Sequence, residues 1–414
     1  MRKQTPEIRD VRMHGFTQRS EVSAALTWVD DHASRLGNET VSLEDAAGRI
    51  LATDVIAPLD VPGFARAAMD GYALRGVETA GAGEYNPLTF VVLGQAMPGL
   101  PFAGAIRTNA AIRIMTGAPV PEGVDAVVPA EYATETAGEI VITRPVAPGQ
   151  HVGHRGEDIR EGSPALGARR CLRPQDVGLI ASLGLAEAIV VRQPRVRILV
   201  TGNEVREPGS PKGQYEVYDA NSYMLHGLIT RDGGIVEVQY RLGDAPEEIR
   251  NALRAPGADV ILVSGGSSVG REDYAPQLLA ELGELAIHGV AMRPSSPAGI
   301  GRIGETLVFL LPGNPVSCLC AYDFFAGRAI RMLGGRQADW PHRTRRATVA
   351  RKIVSAIGRV DYCRVRFVDG RVEPIALSGA SILSSTTRAD GFVIVPAESE
   401  GCAPDTEVMV YLYD

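Results

Sequence analysis

The segment ADVILVSGGSSVGREDY (residues 258–274) runs from an uncharged apolar stretch directly into a glycine-rich loop. The same change occurs in RVRILVTGNE (195–204) and in ETLVFLLPGNP (305–315). Short apolar runs bounded by turn residues are typical of strands that are buried on both faces of a parallel sheet. Because helical periodicity returns between the runs, the pattern predicts βαβ units. The three loops then lie at the carboxyl edge of one sheet, where ligands bind.

The composition is that of an ordinary globular protein and gives no electrostatic support for nucleic-acid binding. The chain has 414 residues, and its 42 basic and 49 acidic side chains give a formal net charge of −7. No apolar run approaches the roughly 18 residues that span a bilayer, and the first residues lack the apolar segment of a signal peptide. We therefore expect a cytoplasmic protein with no nucleic-acid or membrane partner and with reduced cysteines.

The texture of the sequence changes along the chain and predicts four domains. Short β-like runs separated by proline and glycine indicate a β-rich insert within a mixed α+β domain. The predicted limits are 15–56 and 146–194 for the discontinuous mixed domain, 57–145 for the β-rich insert, 195–337 for the α/β domain and 338–414 for a C-terminal β barrel or sandwich. The fold class is therefore multidomain α/β, and its largest domain has three layers and a mostly parallel sheet.

The loops after the apolar runs carry side chains that suit a hydrated metal ion and a phosphate group. Glu204 and Asp273 lie just beyond two of the runs, where carboxylates can hold hydrated magnesium without an all-protein cage. A backbone rich in glycine can fold around an anion, and serine hydroxyls add donors. In the 258–274 segment these residues are Gly265, Gly266, Ser267, Ser268 and Gly270. Two alternatives are that Glu204 caps the following turn and that the glycine loop is only a tight connection.

Three motifs in the first half of the chain also carry polar side chains at turns. Asp70 precedes a glycine in PGFARAAMDGYALR, Thr116 precedes another in RIMTGAPVPEGVDAVVPAE, and Asp158 ends the charged run RGED. Taken alone, the Asp-Gly pair is more typical of a hairpin turn, and the charged run is more typical of a solvated face.

In this order, the motifs resemble the molybdopterin molybdenumtransferase family, the MoeA proteins, whose relatives include the E domains of gephyrin and of its plant counterpart. The resemblance covers nearly the whole chain. It runs through PGFARAAMDGYALR, RIMTGAPVPEGVDAVVPAE, RGEDI, LVTGNEV, YDANSYML, SGGSSVGREDY, LLPGNPVS and SILSSTTRADGFVIVP. It implies that the α/β domain is similar to the MogA-type molybdopterin adenylyltransferases and that the chain forms an elongated homodimer.

The resemblance also implies a reaction, in which molybdenum from molybdate is inserted into adenylylated molybdopterin with release of AMP and a requirement for Mg²⁺. A MogA-type adenylyltransferase and apo-molybdoenzymes are the implied partners. The family's cleft lies between the β unit of one subunit and the α/β domain of the other, and Glu204 and Asp273 match its magnesium-binding acids. The implied catalytic residues are Asp70, Thr116, Asp158, Glu204, Asp244, Asp273 and Arg293. The implied substrate- or phosphate-binding residues are Asn221, Gly265, Gly266, Ser267, Ser268, Gly270, Ser296, Pro312, Gly313, Asn314 and Pro315.

One segment departs from the family pattern. Where the family usually has Lys-Pro-Gly-Lys-Pro, this chain has Arg293-Pro294-Ser295-Ser296-Pro297, so two lysines and a glycine are replaced. Three alternatives to the transferase therefore stay open. They are a divergent paralogue with a changed substrate, a scaffold that carries the finished cofactor to an apoenzyme, and an adenylyltransferase that makes the nucleotide intermediate. The retained acids and glycines favour the transferase, because an inactive copy is expected to lose its acids first.

Overall fold

The computed structural model describes residues 19–266, 273–376 and 381–413, which divide into two compact units. The first unit comprises the chain up to Glu39 and from Val191 onward, and the second comprises Thr40–Val190. Within the described residues, no helix is both long enough and apolar enough to cross a membrane.

The first unit is built on a six-stranded sheet with the three apolar runs of the sequence at its centre. The strand order is Ile235–Leu242, Arg195–Thr201, Val260–Ser264, Thr306–Leu311, Gly299–Ile303 and Glu284–His288. The first four strands are parallel, and the last two pairings are antiparallel. Every residue of Val260–Ser264 is buried, as expected for a strand that is covered on both faces. The predicted parallel arrangement is confirmed.

Helices cover both faces of this sheet and complete three layers. Alternate residues of the central strands enter separate cores, with Leu262 in one core and Ile261 in the other. The first core includes residues of the helix Asn221–Arg231, and the second includes residues of Pro246–Arg254 and Ala275–Leu282. Because the strands end between these helices, their carboxyl ends are free to form a cleft.

The first helix, Val22–His32, packs in the first unit. Its buried Val29 belongs to the same core as the central strands. At the helix surface, Asp30 accepts two hydrogen bonds from Arg328, at 2.6 and 2.8 Å. The predicted limits assign residues 15–56 to the discontinuous domain. The amphipathic pattern gives the buried face of the helix but does not identify the surface against which that face packs.

The C-terminal segment forms a second six-stranded sheet in the first unit. Its main strand order is Met292–Arg293, Val360–Val368, Gly391–Val395, Glu407–Leu412 and Thr344–Thr348, and Arg371–Ala376 also pairs with Val360–Val368. Asp369 and Gly370, which join the two paired strands, are an Asp-Gly pair typical of a hairpin turn. Both residues have positive φ, 50° and 78°, so the hairpin has the backbone that this dipeptide favours.

The second unit contains a six-stranded sheet of mostly antiparallel pairings. Its strand order is Ala126–Pro129, Gly71–Leu74, Ala110–Ile114, Leu88–Ala96, Glu139–Ile142 and Ala133–Thr136. Two short antiparallel pairs join distant parts of the unit, Arg66–Ala67 with Val152–Gly153 and Val55–Ile56 with Pro164–Leu166. The β-rich texture of the sequence therefore corresponds to a real sheet.

The other described elements are short. The remaining helices are Pro174–Ser182, Pro315–Ala321, Gly327–Leu333 and Ser384–Thr387, with a π-helical turn at Tyr322–Ala326. The remaining strands are Asn38–Ser42, Glu187–Val191, Val205–Arg206, Val217–Tyr218, Ile353–Val354 and Gly401–Cys402.

Gly301 is expected to be essential for the edge of the central sheet. A Cβ atom added there would lie 1.9 Å from the carbonyl oxygen of Glu284 on the neighbouring strand, so the strand must move and lose its pairing. We expect Gly301→Ala to lower the free energy of unfolding by about 2 kcal/mol or more. The thermal unfolding midpoint of the purified variant measures this effect.

Gly227→Ala is the matched control, because an added Cβ atom on this helix residue meets nothing within 4 Å. Alanine in the interior of a helix is better than glycine by about 0.5–1 kcal/mol. The control midpoint should therefore equal or exceed that of the unaltered protein. A Gly301→Ala midpoint as high as that of the control contradicts the strand packing described above.

Candidate active site

A cleft of about 680 Å³ lies in the first unit at the carboxyl ends of the central strands. It is lined by the loops that follow the three apolar runs and by the start of the helix Asn221–Arg231. The residues predicted for the site that line it are Glu204, Asn221, Asp244, Gly265, Gly266, Asp273, Pro312, Gly313, Asn314 and Pro315. These residues are far apart in the sequence, and the parallel strands bring them together.

The glycine loop lies directly against the first of the three strands. Gly265 and Gly266 have φ values of +99° and +56°, and a Cβ atom on Gly265 would lie 2.4 Å from the Thr201 carbonyl oxygen. Both the left-handed backbone and the close approach require glycine. The loop therefore begins as a bare backbone surface on the floor of the cleft. Ser267, Ser268 and Gly270, which were predicted to continue it, lie outside the described residues.

Three carboxylates reach the cleft from different loops. Glu204 is exposed, and its carboxylate makes no hydrogen bond or ion pair to any described residue, so it does not cap the following turn with a described partner. Asp244 is held in place, because its Oδ2 accepts from the Asn203 amide at 3.0 Å and its own amide donates to Asn203 Oδ1 at 3.2 Å. Asp273 is half-buried on the same cleft.

The protein ligands available for a metal ion are few. In the part of the chain that the structure describes, no group of three or more His, Cys, Asp or Glu side chains is arranged to hold a metal ion. Magnesium usually keeps several water ligands and needs only one or two carboxylates from the protein. The exposed Glu204 and the neighbouring acids therefore fit a largely hydrated magnesium ion and do not fit a closed structural site.

Asn221 joins three walls of the cleft. Its Nδ2 donates to Ser264 Oγ and to the carbonyl oxygen of Gly313, both at 2.8 Å. Asp219, two residues earlier, is buried and accepts from the Ser222 amide at 3.0 Å and from the Ser222 hydroxyl at 2.5 Å. An aspartate in this position satisfies free amides at the start of a helix. It therefore fixes the helix that carries Asn221.

Sequence reasoning missed several residues of the cleft. They are Thr201, Tyr218, Asp219, Ser264, Pro297 and Ser381. Of these, Asp219 had a usable signal, since an aspartate just before a helical segment is a common cap. Ser381 belongs to the C-terminal segment, and its place in the cleft depends on tertiary packing.

Arg293 and Ser296, both predicted for the site, do not line this cleft. The Arg293 guanidinium is paired with the buried carboxylate of Asp361 and also donates to the Val354 carbonyl oxygen at 3.3 Å. The pairing follows from the sheet, because Arg293 and Asp361 are opposite each other on parallel strands. Of the altered segment, Pro297 reaches the cleft. The positive charge of this segment is therefore committed to an ion pair.

Asp70 and Thr116 are joined directly in the second unit. Asp70 Oδ1 accepts from the Thr116 backbone amide and from the Thr116 hydroxyl, both at 2.7 Å. The strand Arg66–Ala67 pairs with Val152–Gly153 and not with the strand that follows Asp70, so the Asp-Gly pair is not the turn of a hairpin between these neighbouring strands. Asp70 is exposed, and its carboxylate is the acceptor of a built hydrogen-bond pair.

The RGED loop packs beside the segment that leads to Asp70. The amide of Gly156 donates to the Pro62 carbonyl oxygen at 2.9 Å, and the amide of Asp158 donates to that of Val61 at 3.1 Å. The Asp158 side chain is exposed and contacts no described residue by a hydrogen bond or ion pair. The charged run is therefore an ordered loop whose last carboxylate is available.

Thr116 holds the pKa of the Asp70 carboxyl below its usual range, first through its backbone N–H and then through its hydroxyl. Both donors favour the ionised form. Thr116→Val removes only the hydroxyl donor, so the pKa of Asp70 should rise while remaining below the ordinary value. A carboxyl NMR titration measures this change. Thr134→Val, an exposed change in the same unit, is the control. An unaltered Asp70 titration in Thr116→Val contradicts this hydrogen-bond pair.

Comparison with known proteins accounts for almost all of the chain. Three family descriptions match it: the MoeA N-terminal region (domain I and II) over residues 20–184, the probable molybdopterin binding domain over 197–331 and the MoeA C-terminal region (domain IV) over 346–413. Each segment that carries a candidate site residue lies within one of these matches.

Relatives with assigned names are similar over nearly their whole length. Molybdopterin molybdenumtransferase 2 of Mycobacterium tuberculosis is 33% identical over 384 residues, covering 90% of this chain and 94% of the relative. Molybdopterin molybdenumtransferase of Haemophilus influenzae is 33% identical over 371 residues, covering 87% and 90%.

Solved structures of the molybdopterin biosynthesis MoeA protein from Pyrococcus horikoshii are similar in fold. Two of them have TM-scores of 0.82 and 0.78, are 31% identical in sequence, and cover 96% of this chain and 100% of their own. Together, the sequence matches and the fold show that the chain belongs to the MoeA family of molybdopterin molybdenumtransferases, which are transferases of molybdenum cofactor biosynthesis.

Proposed function

We propose that the chain inserts molybdenum from molybdate into adenylylated molybdopterin, releases AMP and requires Mg²⁺. The observation that supports this reaction best is the cleft of the first unit. It is lined by the three acids Glu204, Asp244 and Asp273 together with a glycine-rich backbone surface. A nucleotide anhydride needs both features, because its phosphates carry negative charge and its cleavage increases the charge on the leaving phosphate.

The residues of the cleft divide into two tasks. Glu204 and Asp273 hold the hydrated magnesium ion, which when bound offsets charge on the scissile anhydride. Asp244 fixes the loop of Glu204 through its paired hydrogen bonds with Asn203. The amides of the Gly265–Gly266 loop and the PGNP turn hold phosphate oxygens. Backbone donors suit this task in a chain that carries only a single lysine between residues 195 and 337.

The second half of the active site is supplied by the other subunit of a homodimer. Asp70, Thr116 and Asp158 are the proposed residues, and two of them are already joined by hydrogen bonds. A carboxyl with a lowered pKa is a poor general base near neutral pH. Asp70 therefore acts as a fixed negative charge and hydrogen-bond acceptor that orients a protonated or hydrated group, and Thr116 keeps it ionised.

The chain acts between two other proteins in this scheme. A MogA-type adenylyltransferase supplies the adenylylated substrate, and an apo-molybdoenzyme receives the product. The alternative of a scaffold that only carries finished cofactor predicts the same recipient without turnover. The difference between the two functions is therefore chemical and can be measured.

Reconstitution of an apo-molybdoenzyme tests the proposed function. The purified chain is incubated with adenylylated molybdopterin, molybdate and magnesium, and the activity of the apo-molybdoenzyme is then assayed. We expect activation that needs all three additions and exceeds one equivalent per chain. Activation only by preformed cofactor, with none from the separate components, supports the scaffold and removes the transferase reaction.

A further inference from the structure

We propose that Tyr218 and Asn221 form a subsite of the cleft for a planar heteroaromatic ring that bears an amino group. The ring stacks on Tyr218, and its amino group donates a hydrogen bond to Asn221 Oδ1. This inference rests on the function proposed above, whose substrate contains two such rings, adenine and pterin. It assigns a binding task to two residues of the cleft that are separate from the acids.

The orientation of the Asn221 amide is determined by its partners. Nδ2 donates to the Gly313 carbonyl oxygen, and a carbonyl oxygen can only accept, so the amide cannot be turned around without losing this bond. Its other atom, Oδ1, is buried and has no hydrogen-bond partner among the described residues. Asn221 as a whole is only 7% exposed and lines the cleft.

The free atom of Asn221 selects the kind of group that can bind there. A buried acceptor without a partner is costly, and a ligand that supplies a donor removes that cost. Ionised phosphate and molybdate oxygens are acceptors and cannot do so. An exocyclic amino group can, because it carries N–H donors in the plane of a flat ring. Asn221 Oδ1 is therefore suited to the ring portion of the substrate.

Tyr218 provides a flat apolar surface on the same cleft. It is 44% exposed and lies beside Val205 and Val217, which also line the cleft. Its hydroxyl donates to the Ser210 carbonyl oxygen at 3.0 Å, and the Lys212 ammonium lies 5.8 Å from the ring centroid. With the hydroxyl engaged and one face near the ammonium, the remaining face is available to stack on a planar ligand.

The two residues are held in a fixed relation by the backbone between them. Asp219 donates its amide to the Arg206 carbonyl oxygen at 2.8 Å, and its carboxylate accepts two hydrogen bonds from Ser222. The segment from Tyr218 to Asn221 is thus anchored to the short strand Val205–Arg206 and to the helix start. A preorganised pair of this kind binds a ring with less loss of side-chain entropy.

Two pairs of compounds test the hydrogen bond without any mutation. AMP and IMP differ at the purine 6-position, and pterin and lumazine differ at the 2-position, where an amino group is replaced by an oxygen in each pair. Binding to the full chain is measured by calorimetry in the presence of magnesium. We expect the amino compound of one pair to bind at least about tenfold more tightly than its oxo analogue.

The pair that shows this difference identifies the ring that occupies the subsite. Equal affinity within both pairs overturns the assignment of Asn221, including the case in which a water molecule satisfies Oδ1. If the unaltered chain binds neither AMP nor pterin, the adenylylated pterin substrate proposed above fails and this inference fails with it. Binding without discrimination overturns only the present inference.

Three variants test the stacking surface with the ligand identified in this way. Tyr218→Ala is expected to weaken binding roughly tenfold, because base stacking on an aromatic ring is lost. Tyr218→Phe keeps the ring and should bind nearly as well as the unaltered chain. Tyr215→Ala is the control, since Tyr215 is 87% exposed on the same connection and does not line the cleft. Unchanged affinity in Tyr218→Ala overturns the stacking role.

Discussion

Glu204→Gln is expected to lower the rate of magnesium-dependent AMP release by about 10²- to 10³-fold, the range typical of losing one electrostatic group at a reacting centre. The variant replaces a negative ligand of the proposed magnesium ion by a neutral one of nearly the same shape. Because the Glu204 carboxylate has no hydrogen bond or ion pair within the described chain, we expect the thermal unfolding midpoint to be unchanged. The loss is therefore a catalytic one.

The magnesium dependence distinguishes a metal ligand from a residue with another role. An amide oxygen still binds magnesium weakly, so part of the lost rate should return when the magnesium concentration is raised. Glu248→Gln is the control, because Glu248 makes the same chemical change on an exposed helix residue outside the cleft. A Glu204→Gln variant that releases AMP at the normal rate at low magnesium contradicts the assignment.

Mixing Asp70→Asn subunits with Glu204→Gln subunits is expected to restore activity that neither variant has alone. If each active site combines the second unit of one subunit with the first unit of the other, a mixed dimer contains one site with both substitutions and one with neither. Random exchange makes about half of the dimers mixed, so activity should reach about a quarter of that of the unaltered protein.

The complementation experiment has its own controls. The two variants are co-expressed with different tags, and the mixed dimer is purified before AMP release is measured. A double variant, with both substitutions in every subunit, should stay inactive in the same assay. Mixed dimers without activity, prepared from variants that are each folded, contradict an active site shared between subunits.

The parallel sheet could be predicted because its signal is local. Each apolar run is a strand and each run ends in a loop, and the helix Ala275–Leu282 has the bounds that its periodicity indicates. The sequence pattern also predicts a helix from Val316 to Leu333. In the structure a π-helical turn, Tyr322–Ala326, interrupts it. That turn contains the buried Asp323, which accepts from Arg231 at 2.8 Å, and no local pattern specifies such a long-range partner.

The candidate site divides in the same way. The acids and glycines at strand ends were predictable because parallel strands place their carboxyl ends together. Arg293 was not, since its guanidinium meets Asp361 on a neighbouring strand, and the position of that carboxylate depends on how the C-terminal sheet packs. Tyr218 lacked a signal because an exposed tyrosine in a loop has many explanations until the cleft beside it is known.

AMP release from adenylylated molybdopterin is the measurement that tests the central claim most directly. The purified chain is given the substrate with molybdate and magnesium together, with each alone and with neither, and AMP is quantified against the chain over time. We predict repeated turnover only when both are present, with AMP formed in proportion to cofactor. Release that is absent under all four conditions, or that is independent of molybdate, contradicts the proposed insertion reaction.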